Sequence, residues 1–308
     1  MEIPIHSEAE WHALRKAHVG ASEVAALFNV QPDYMHGLYG LWSIKAGLVS
    51  PPEIDNDRIK WGMRLEAPIA NGCAEDQGWK IRKGGYFEDD LCPGLGASPD
   101  YIVLPPVEGK QGPGVMEIKN VDAMIHHSKW ANGHPPLHIL LQLQQQLAAT
   151  GYQWGVVCEL IGGNTLSLYH YDVHPKLIRK IRQKINAFWQ SVHDKKPPPM
   201  DDSPLNGEIL KTIYSPSSRE IVDFSSDNEL PGLCQSYKET NEKIKQLKKE
   251  SNQLKNSIMD KMGNNQCAVT NGYVISISIQ QEKPDRVAMP GEVIKGRSEV
   301  RKVLIKEV

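Results

Sequence analysis

Two short stretches decide the fold, SPDYIVL at residues 98–104 and GVMEIKN at residues 114–120. Both are rich in β-branched and aromatic residues and are bounded by turn-forming residues, so they predict two adjacent strands joined by a long exposed loop. Asp100 lies at the start of the first stretch, and Glu117 and Lys119 lie in the second. Because side chains alternate along a strand, Glu117 and Lys119 are predicted to project from one face of the sheet, near Asp100.

The flanking sequence alternates between helical and strand patterns. Ser7 and Glu10 form a capping box that predicts a helix over residues 8–17, and Ser22 is predicted to cap a short second helix. Apolar residues at intervals of three or four predict further helices at 34–46, 57–77, 136–150 and 175–193. β-Forming segments predict strands at 79–82, 85–88, 154–160 and 165–171. The predicted fold class is α/β.

A change of composition follows this core. The stretch KKPPPMDDSP at 195–204 has the composition of a linker. Beyond it, apolar and small residues at intervals of three and four among many lysines predict a long exposed or coiled-coil helix. They are Tyr237, Thr240, Ile244, Leu247, Leu254 and Ile258. A hairpin is predicted around Asn271-Gly272. The predicted division is therefore a core at 1–196, a linker at 197–228 and an appendage of helix and hairpin at 229–308.

Composition limits the classes of function. The chain has 308 residues and a formal net charge of -2, so it does not bind nucleic acid through bulk positive charge. Its five cysteines are scattered and contain no CxxC pair, which argues against a disulfide framework and a thiolate zinc site. No apolar stretch reaches the roughly 20 residues of a membrane span, and the first residues lack the pattern of a signal peptide. We therefore expect a cytoplasmic protein.

Acidic side chains and one lysine suggest phosphodiester hydrolysis. Carboxylates on neighbouring strands can hold two Mg²⁺ ions, and a nearby lysine can orient or deprotonate a water molecule. Glu66, on the helix before the sheet, is the candidate for the third carboxylate beside Asp100 and Glu117. Because a ligand at the end of a strand contributes little to a core, we expect Glu117→Ala to abolish cleavage and to leave the fold intact.

Two other polar groups have competing interpretations. His126, His127, His134 and His138 lie within thirteen residues, but no cysteine or acidic residue follows at zinc-finger spacing, so phosphate contact or solvation is favoured over a zinc site. On the helix at 136–150, the predicted apolar stripe leaves Gln142, Gln145, Gln146 and Ala149 on another face; the stripe consists of Leu137, Leu140, Leu141, Leu147 and Ala148. That face is either solvated or, at Gln142, part of the site.

The order of Ser98-Pro99-Asp100, a strand, a loop and then Glu117-Ile118-Lys119 resembles the PD-(D/E)XK nuclease signature. The wider pattern resembles the lambda-exonuclease and YqaJ-type viral recombinases. It consists of WHALR at 11–15, GASE at 20–23, Gly62, LEAP at 65–68, and Gln142 with Gln144. The resemblance implies a restriction-endonuclease-like core with a mixed central sheet flanked by helices, to which a long C-terminal helix and hairpin are added.

The resemblance also implies roles for individual residues. Asp100, Glu117 and the Ile118 carbonyl would bind one Mg²⁺, Glu66 and Asp100 would bind a second, and Mn²⁺ would be an alternative ion. Lys119 would activate water, and Gln142 would face the site. Arg15 and Ser22 would bind the terminal 5′-phosphate of the digested strand, which agrees with the preference of guanidinium groups and helix N-termini for phosphate.

The activity implied by the resemblance is a 5′-to-3′ exonuclease acting on linear double-stranded DNA. It would leave 3′ overhangs for a single-strand annealing protein, in a bacterial cell and encoded by a phage or prophage. A trimeric ring is the assembly implied. Two alternatives stay open: an endonuclease specific for a DNA structure or sequence on the same fold, and a catalytically silent module that binds DNA ends.

Overall fold

The computed structural model describes residues 1–51, 56–130, 133–214, 221–280, 286–289, 292–294 and 300–307, with side chains only up to residue 278. The chain forms two compact units, residues 1–217 and 218–308. Among the described residues, no helix is long and apolar enough to cross a membrane.

The first unit contains eight described helices and eight described strands. The helices are α1 Glu8–Ala17, α2 Val24–Leu27, α3 Leu38–Lys45, α4 Asp57–Gln77, α5 Ala123–Lys129, α6 Leu137–Thr150, α7 Pro175–His193 and α8 Asn206–Ile213. The strands are β1 Glu2–Ile3, β2 Lys80–Lys83, β3 Tyr86–Glu88, β4 Gly96–Ala97, β5 Tyr101–Leu104, β6 Gly114–Val121, β7 Trp154–Ile161 and β8 Thr165–Asp172. The fold class and the positions of the long helices agree with the prediction.

The central sheet has five strands in the order β2-β5-β6-β7-β8. The pair β6–β7 is parallel and the other three pairs are antiparallel, so the sheet is mixed as predicted. Because parallel neighbours need a crossover connection, the chain leaves β6, forms α5 and α6, and returns as β7. Strands β7 and β8 form the predicted hairpin across Gly162-Gly163-Asn164.

One predicted strand lies elsewhere. The strand predicted at residues 85–88 is observed as β3, but it does not lie beside β2 in the main sheet and belongs to a separate sheet with the order β1-β3-β4. Gly84 and Gly85 separate β2 from β3 and allow the chain to change direction. Tyr86 and Phe87 are both buried, so β3 does not have the alternation of a half-buried strand in the main sheet.

Apolar residues cover both faces of the main sheet. On one face, α4 packs through Ile69, Ala70 and Cys73 against a cluster that includes Met116 and Ile118 of β6. The opposite face packs against α2, α6 and α7, and takes Val115 and Val121 from β6 together with Leu143 and Ile181 from the helices. The side chains of β6 therefore alternate as predicted, and Glu117 and Lys119 lie on the α6 side.

The segment predicted as a linker is partly folded. Helix α8 packs on α3 through Ile209, which is buried with Tyr39 and Val49. Asp201 accepts a hydrogen bond of 2.8 Å from the backbone N–H of Tyr39. The compact first unit thus extends past residue 196, because these contacts attach residues 201–213 to it.

The second unit consists of α9 Leu230–Met262 and the strands β9 Cys267–Thr270, β10 Tyr273–Gln280, β11 Arg286–Met289, β12 Glu292–Ile294 and β13 Val300–Glu307. Strands β9 and β10 form the predicted hairpin across Asn271-Gly272, where Gly272 has a φ of +80° that suits glycine. Strand β13 pairs with the other edge of β10.

Candidate functional site

Two acidic side chains meet where β5 begins beside β6. Asp100 immediately precedes β5, and β5 pairs antiparallel with β6, with Tyr101 opposite Met116. Oδ2 of Asp100 accepts a hydrogen bond of 2.7 Å from the backbone N–H of Ile118. This bond fixes the Asp100 carboxylate beside β6, next to Glu117.

Glu117 is the centre of a hydrogen-bond network. Its side chain is only 2% exposed. Its Oε1 accepts bonds from the ammonium of Lys119 and from the amide of Gln142 at 2.6 Å, and its Oε2 accepts one from the amide of Gln146 at 2.6 Å. The Lys119 ammonium also lies 3.3 Å from Oε1 of Gln142. Lys119 and Gln142 therefore meet Glu117 as predicted.

The burial of Glu117 differs from the expectation for a carboxylate at a strand end. Replacing it by alanine would leave the Gln142 and Gln146 amides and the Lys119 ammonium without their acceptor inside the protein. Unpaired buried polar groups destabilise a fold. Glu117→Gln is therefore a better probe of its chemistry than Glu117→Ala.

Charges within the site perturb one another. Burial raises the pKa of Asp100 well above its ordinary value, and the nearby negative charge of Glu117 raises it further. Burial lowers the pKa of Lys119, but attraction by Glu117 and Asp100 outweighs this effect, so its pKa lies above the ordinary value. Lys119 is thus an ammonium group at neutral pH. A carboxylate whose charge is disfavoured in this way is suited to binding a cation.

Glu66 approaches from the other side of the sheet. It lies on α4, which packs on the face opposite to Glu117, and its carboxylate pairs with the ammonium of Lys83 on β2. The Lys83 ammonium also lies 4.8 Å from the ring centroid of Tyr101. Burial and the charge of Glu117 are the main causes of the raised pKa of Asp100, and the negative charge of Glu66 adds a smaller contribution. Glu66 therefore interacts with the site but has a lysine as its partner.

The donor set can be compared with the needs of a metal ion. Within the part of the chain that the structure describes, no three His, Cys, Asp or Glu side chains are grouped closely enough to hold a metal ion. Asp100 and Glu117 supply hard oxygen donors, and their mutual repulsion is relieved by a divalent cation. The pair offers the kind of oxygen donors that Mg²⁺ prefers, whereas Glu66 is paired with Lys83.

Arg15 and Ser22 occupy neighbouring segments before the sheet. The guanidinium of Arg15 on α1 lies 4.6 Å from the ring centroid of Trp11, and the Trp11 indole N–H donates to Oγ of Ser98 at 3.4 Å. Arg15 is thereby connected through Trp11 to the residues just before Asp100. A cavity of about 720 Å³ at this place is lined by residues that include Trp11, Lys83, Ser98 and Asp100.

The prediction that Ser22 caps α2 is wrong. The N-cap of α2 is Glu23, because residues 20–23 form a turn in which the Glu23 N–H bonds to the Gly20 carbonyl at 2.9 Å. The Glu23 carboxylate accepts bonds from the Gly20 N–H at 2.7 Å and the Lys45 ammonium at 2.8 Å. Lys45 is buried and also donates to the backbone carbonyl of Arg15 at 2.7 Å. A single lysine therefore connects the Arg15 segment with the turn that contains Ser22.

Gln146 is a site residue that the sequence did not identify. It is fully buried, as is Gln145, so the glutamine face of α6 is not solvated. The amide of Gln145 donates to the carbonyls of Val19 and Gly96 rather than to a carboxylate. The spacing of four residues between Gln142 and Gln146 was the available signal, since it places both on one face of a helix. Leu137, assigned to the apolar stripe, is instead 53% exposed.

Two of the four histidines, His126 and His138, lie near the site, and among the described residues they are not part of a group that could bind a metal ion. Nδ1 of His126 lies 2.9 Å from a carboxylate oxygen of the buried Glu159. Burial lowers the pKa of His138, and the positive charge of Lys119 lowers it further. His138 is therefore close enough to Lys119 for the two charges to interact.

Comparison with known proteins finds similarity within the first unit. Residues 10–153 match the family model of the YqaJ-like viral recombinase domain. An alkaline exonuclease from Laribacter hongkongensis, LHK-Exo, is similar in fold, with 23% sequence identity and a TM-score of 0.51 over 61% of this chain and 94% of that chain. LHK-Exo in complex with dAMP gives 24% identity and a TM-score of 0.52 over the same shares. No curated protein matches this chain.

Proposed function

Because residues 10–153 match the YqaJ-like viral recombinase domain, we propose that the protein is a metal-dependent deoxyribonuclease that digests one strand of linear double-stranded DNA from its 5′ end. The observation that carries the proposal is the pair of the half-buried Asp100 and the buried Glu117, held next to the ammonium of Lys119. Such a pair has little structural use, since placing two mutually repelling carboxylates side by side away from water costs free energy.

Asp100 and Glu117 would hold the metal, with Glu66 and the Ile118 carbonyl completing a site for one or two Mg²⁺ ions, or Mn²⁺ in their place. The metal would supply charge stabilisation on the phosphoryl oxygens and a more acidic bound water. Asp100 needs to be an anion for this role, and a nearby cation would lower its raised pKa.

The chain's own polar groups have distinct tasks in this proposal. Lys119 is charged, so it can donate a hydrogen bond to the attacking water or to a non-bridging phosphate oxygen. The amide of Gln142 contacts both Glu117 and Lys119, so it fixes the distance between carboxylate and ammonium. Gln146 holds the other oxygen of Glu117 and prevents the side chain from rotating. Together they keep the reactive groups in one arrangement before DNA binds.

The polarity of digestion would depend on Arg15 and Ser22. A guanidinium forms paired hydrogen bonds with phosphate oxygens, and Arg15 is next to the cavity that reaches Asp100. The 5′-terminal nucleotide would occupy this cavity, its phosphate bound by Arg15 and Ser22. The products would be mononucleotides and a duplex with a 3′ overhang, which a single-strand annealing protein could use in phage-type recombination. A trimeric ring is the assembly that we propose for digestion along the duplex.

The first experiment compares three DNA substrates at matched Mg²⁺: a linear duplex with a 5′-phosphate, the same duplex with a 5′-hydroxyl, and a covalently closed circle. We expect mononucleotides from the linear duplexes, faster from the phosphorylated one, and no cleavage of the circle. Cleavage of the circle would instead identify an endonuclease, and intact linear DNA would identify a module that only binds ends.

Two variants connect this activity to the site. Asp100→Asn is expected to abolish release of nucleotides, and Arg15→Ala is expected to remove the preference for a 5′-phosphate. Glu75→Gln is the matched control, because Glu75 is an exposed carboxylate on α4, the helix of Glu66. Retention of activity by Asp100→Asn would exclude the proposed metal site.

A further inference from the structure

Helix α9 exposes large apolar side chains along its length. The exposed fractions are 57% for Leu233, 72% for Tyr237, 43% for Ile244, 62% for Leu247 and 65% for Leu254. The helix has 33 residues, so it is about 50 Å long. A row of exposed apolar residues of this length is typical of a surface that packs against another helix.

The spacing of these residues is that of a coiled coil. Apolar or small side chains recur at alternating intervals of three and four residues over nearly the whole helix, which are the a and d positions of a heptad repeat. They are Leu230, Leu233, Tyr237, Thr240, Ile244, Leu247, Ser251, Leu254 and Ile258. The seam is apolar except for Thr240 and Ser251, which lie symmetrically about the centre of the helix between Ile244 and Leu247.

The charges beside the seam distinguish the two possible directions of a pair. In a parallel pair of identical helices, Lys243 at a g position would face Lys248 at the e position of the other copy, while Glu250 at the next g position would face Lys255, so repulsive contacts would offset attractive ones. In an antiparallel pair the g positions face each other. Lys243 then lies opposite Glu250 of the second copy, and the symmetry of the pair forms this contact twice.

The polar seam residues are also matched in an antiparallel pair. An antiparallel pair places each a residue against a d residue of the other copy, so Thr240 meets Ser251 and Ile244 meets Leu247. Tyr237 meets Leu254, and apolar residues therefore contact apolar residues in every layer from Leu233 to Ile258 except those of Thr240 and Ser251. Matching polar with polar residues avoids burying a hydroxyl against an apolar side chain.

We propose that α9 is an interaction surface for a second copy of this chain, with which it forms an antiparallel two-stranded coiled coil centred between Ile244 and Leu247. The occupant is the same helix, because its own sequence supplies the complementary charges and the matched polar layers. The proposal does not depend on the nuclease activity, so each can fail without the other.

Cysteine cross-linking of the full-length protein tests the direction of the pair. Cys234 and Cys267 are exposed free thiols and are first replaced by serine. In that background, Thr240→Cys combined with Ser251→Cys is expected to give a covalent dimer on air oxidation. Within one helix these positions are about 16 Å apart, too far for an internal disulfide.

The single-cysteine variants are the matched controls. In an antiparallel pair, position 240 of one copy faces position 251 of the other, so a single cysteine has no cysteine opposite it. Thr240→Cys alone and Ser251→Cys alone are therefore expected to stay monomeric on a denaturing gel. Cross-linking of both single variants would indicate a parallel pair and would overturn the proposal. Failure of the double variant to cross-link would overturn it as well.

Charge reversal provides a second measurement that does not need cysteines. Lys243→Glu and Glu250→Lys are each expected to raise the dissociation constant for self-association by roughly tenfold at low salt, since both contacts of the pair become repulsive. The double variant with both changes is expected to recover the wild-type constant. Lys249→Glu, on the outer face of the same helix, is the control and should change it little. Tighter association of Lys243→Glu would indicate a parallel pair.

Discussion

The side-chain amide of Gln146 donates a hydrogen bond of 2.6 Å to Oε2 of Glu117, connecting helix α6 to the strand β6 that carries the reactive groups. Gln142, one turn earlier on the same helix, binds the other oxygen of Glu117. The orientation of the carboxylate is therefore set by a helix and not by the sheet alone. Changes on α6 should affect catalysis even where they do not touch the substrate.

Gln146→Leu tests this positioning role. The variant removes one of three donors to a buried carboxylate, so we expect the free energy of unfolding to fall by about 1–3 kcal/mol and kcat to fall roughly tenfold. The control is Gln145→Leu, which is equally buried but loses bonds to the Val19 and Gly96 carbonyls instead. Thermal unfolding and steady-state rates of both variants distinguish the two effects. Equal losses of kcat in both would show that Gln146 acts only through stability.

Lys83→Met tests the partner of Glu66. Removing the ammonium frees the Glu66 carboxylate, so the Mg²⁺ concentration needed for half-maximal nuclease activity is expected to decrease by roughly two- to fivefold. Lys80→Met, a lysine at the other end of β2 and exposed, is the control. A titration of activity against Mg²⁺ at saturating DNA gives the comparison. An increased requirement for Mg²⁺ in Lys83→Met would contradict the role proposed for Glu66.

Gly84→Ala tests how closely the backbone packs next to Asp100. A Cβ at Gly84 would lie 1.8 Å from the carbonyl oxygen of Pro99, so this segment would have to move. We expect both lower stability and a roughly tenfold lower kcat, because a small displacement of Asp100 misaligns the site. The control is Gly72→Ala on α4, where a Cβ meets nothing within 4 Å. It should stabilise the helix by about 0.5–1 kcal/mol and leave kcat unchanged, and an active, stable Gly84→Ala protein would refute the expected displacement.

Tyr169→Phe tests the hydrogen bonds of the buried Glu159, which lies on β7 opposite Lys119. The Tyr169 hydroxyl donates to the fully buried Glu159 at 2.9 Å, and His126 contacts the other carboxylate oxygen. Loss of this donor should cost about 1–3 kcal/mol of stability, or a decrease in Tm of roughly 2–4 °C for each kcal/mol. Tyr171→Phe on the same strand is the control and should have a smaller effect. If the two variants have the same Tm, the Tyr169 hydroxyl does not contribute to stability.

Much of the fold could be predicted because local patterns determine it. The bounds of α1 and α4 follow from their caps at Ser7 and Asn56, and alternation along β6 correctly placed Glu117 and Lys119 on one face. These features depend on neighbours in the sequence, which a pattern can detect.

Features that depend on contacts between distant segments were not predicted. The pairing of Glu66 with Lys83 requires that α4 be next to β2, and the burial of Gln146 requires that α6 cover β6. The sheet that contains β3 depends on the N-terminal strand β1, far away in the chain. The first residue of α2 was also misplaced, because a turn at 20–23 delays the start of the helix.

The parallel pairing of β6 with β7 determines when the site can exist during synthesis. Glu117 and Lys119 leave the ribosome first, but the amides that hold Glu117 are on α6, which is fixed only when β7 has joined β6. A nascent chain that ends before Ile161 contains Gln142 and Gln146 but lacks part of the strand that pairs with β6. The donors that orient Glu117 are therefore assembled only after the chain has completed this crossover.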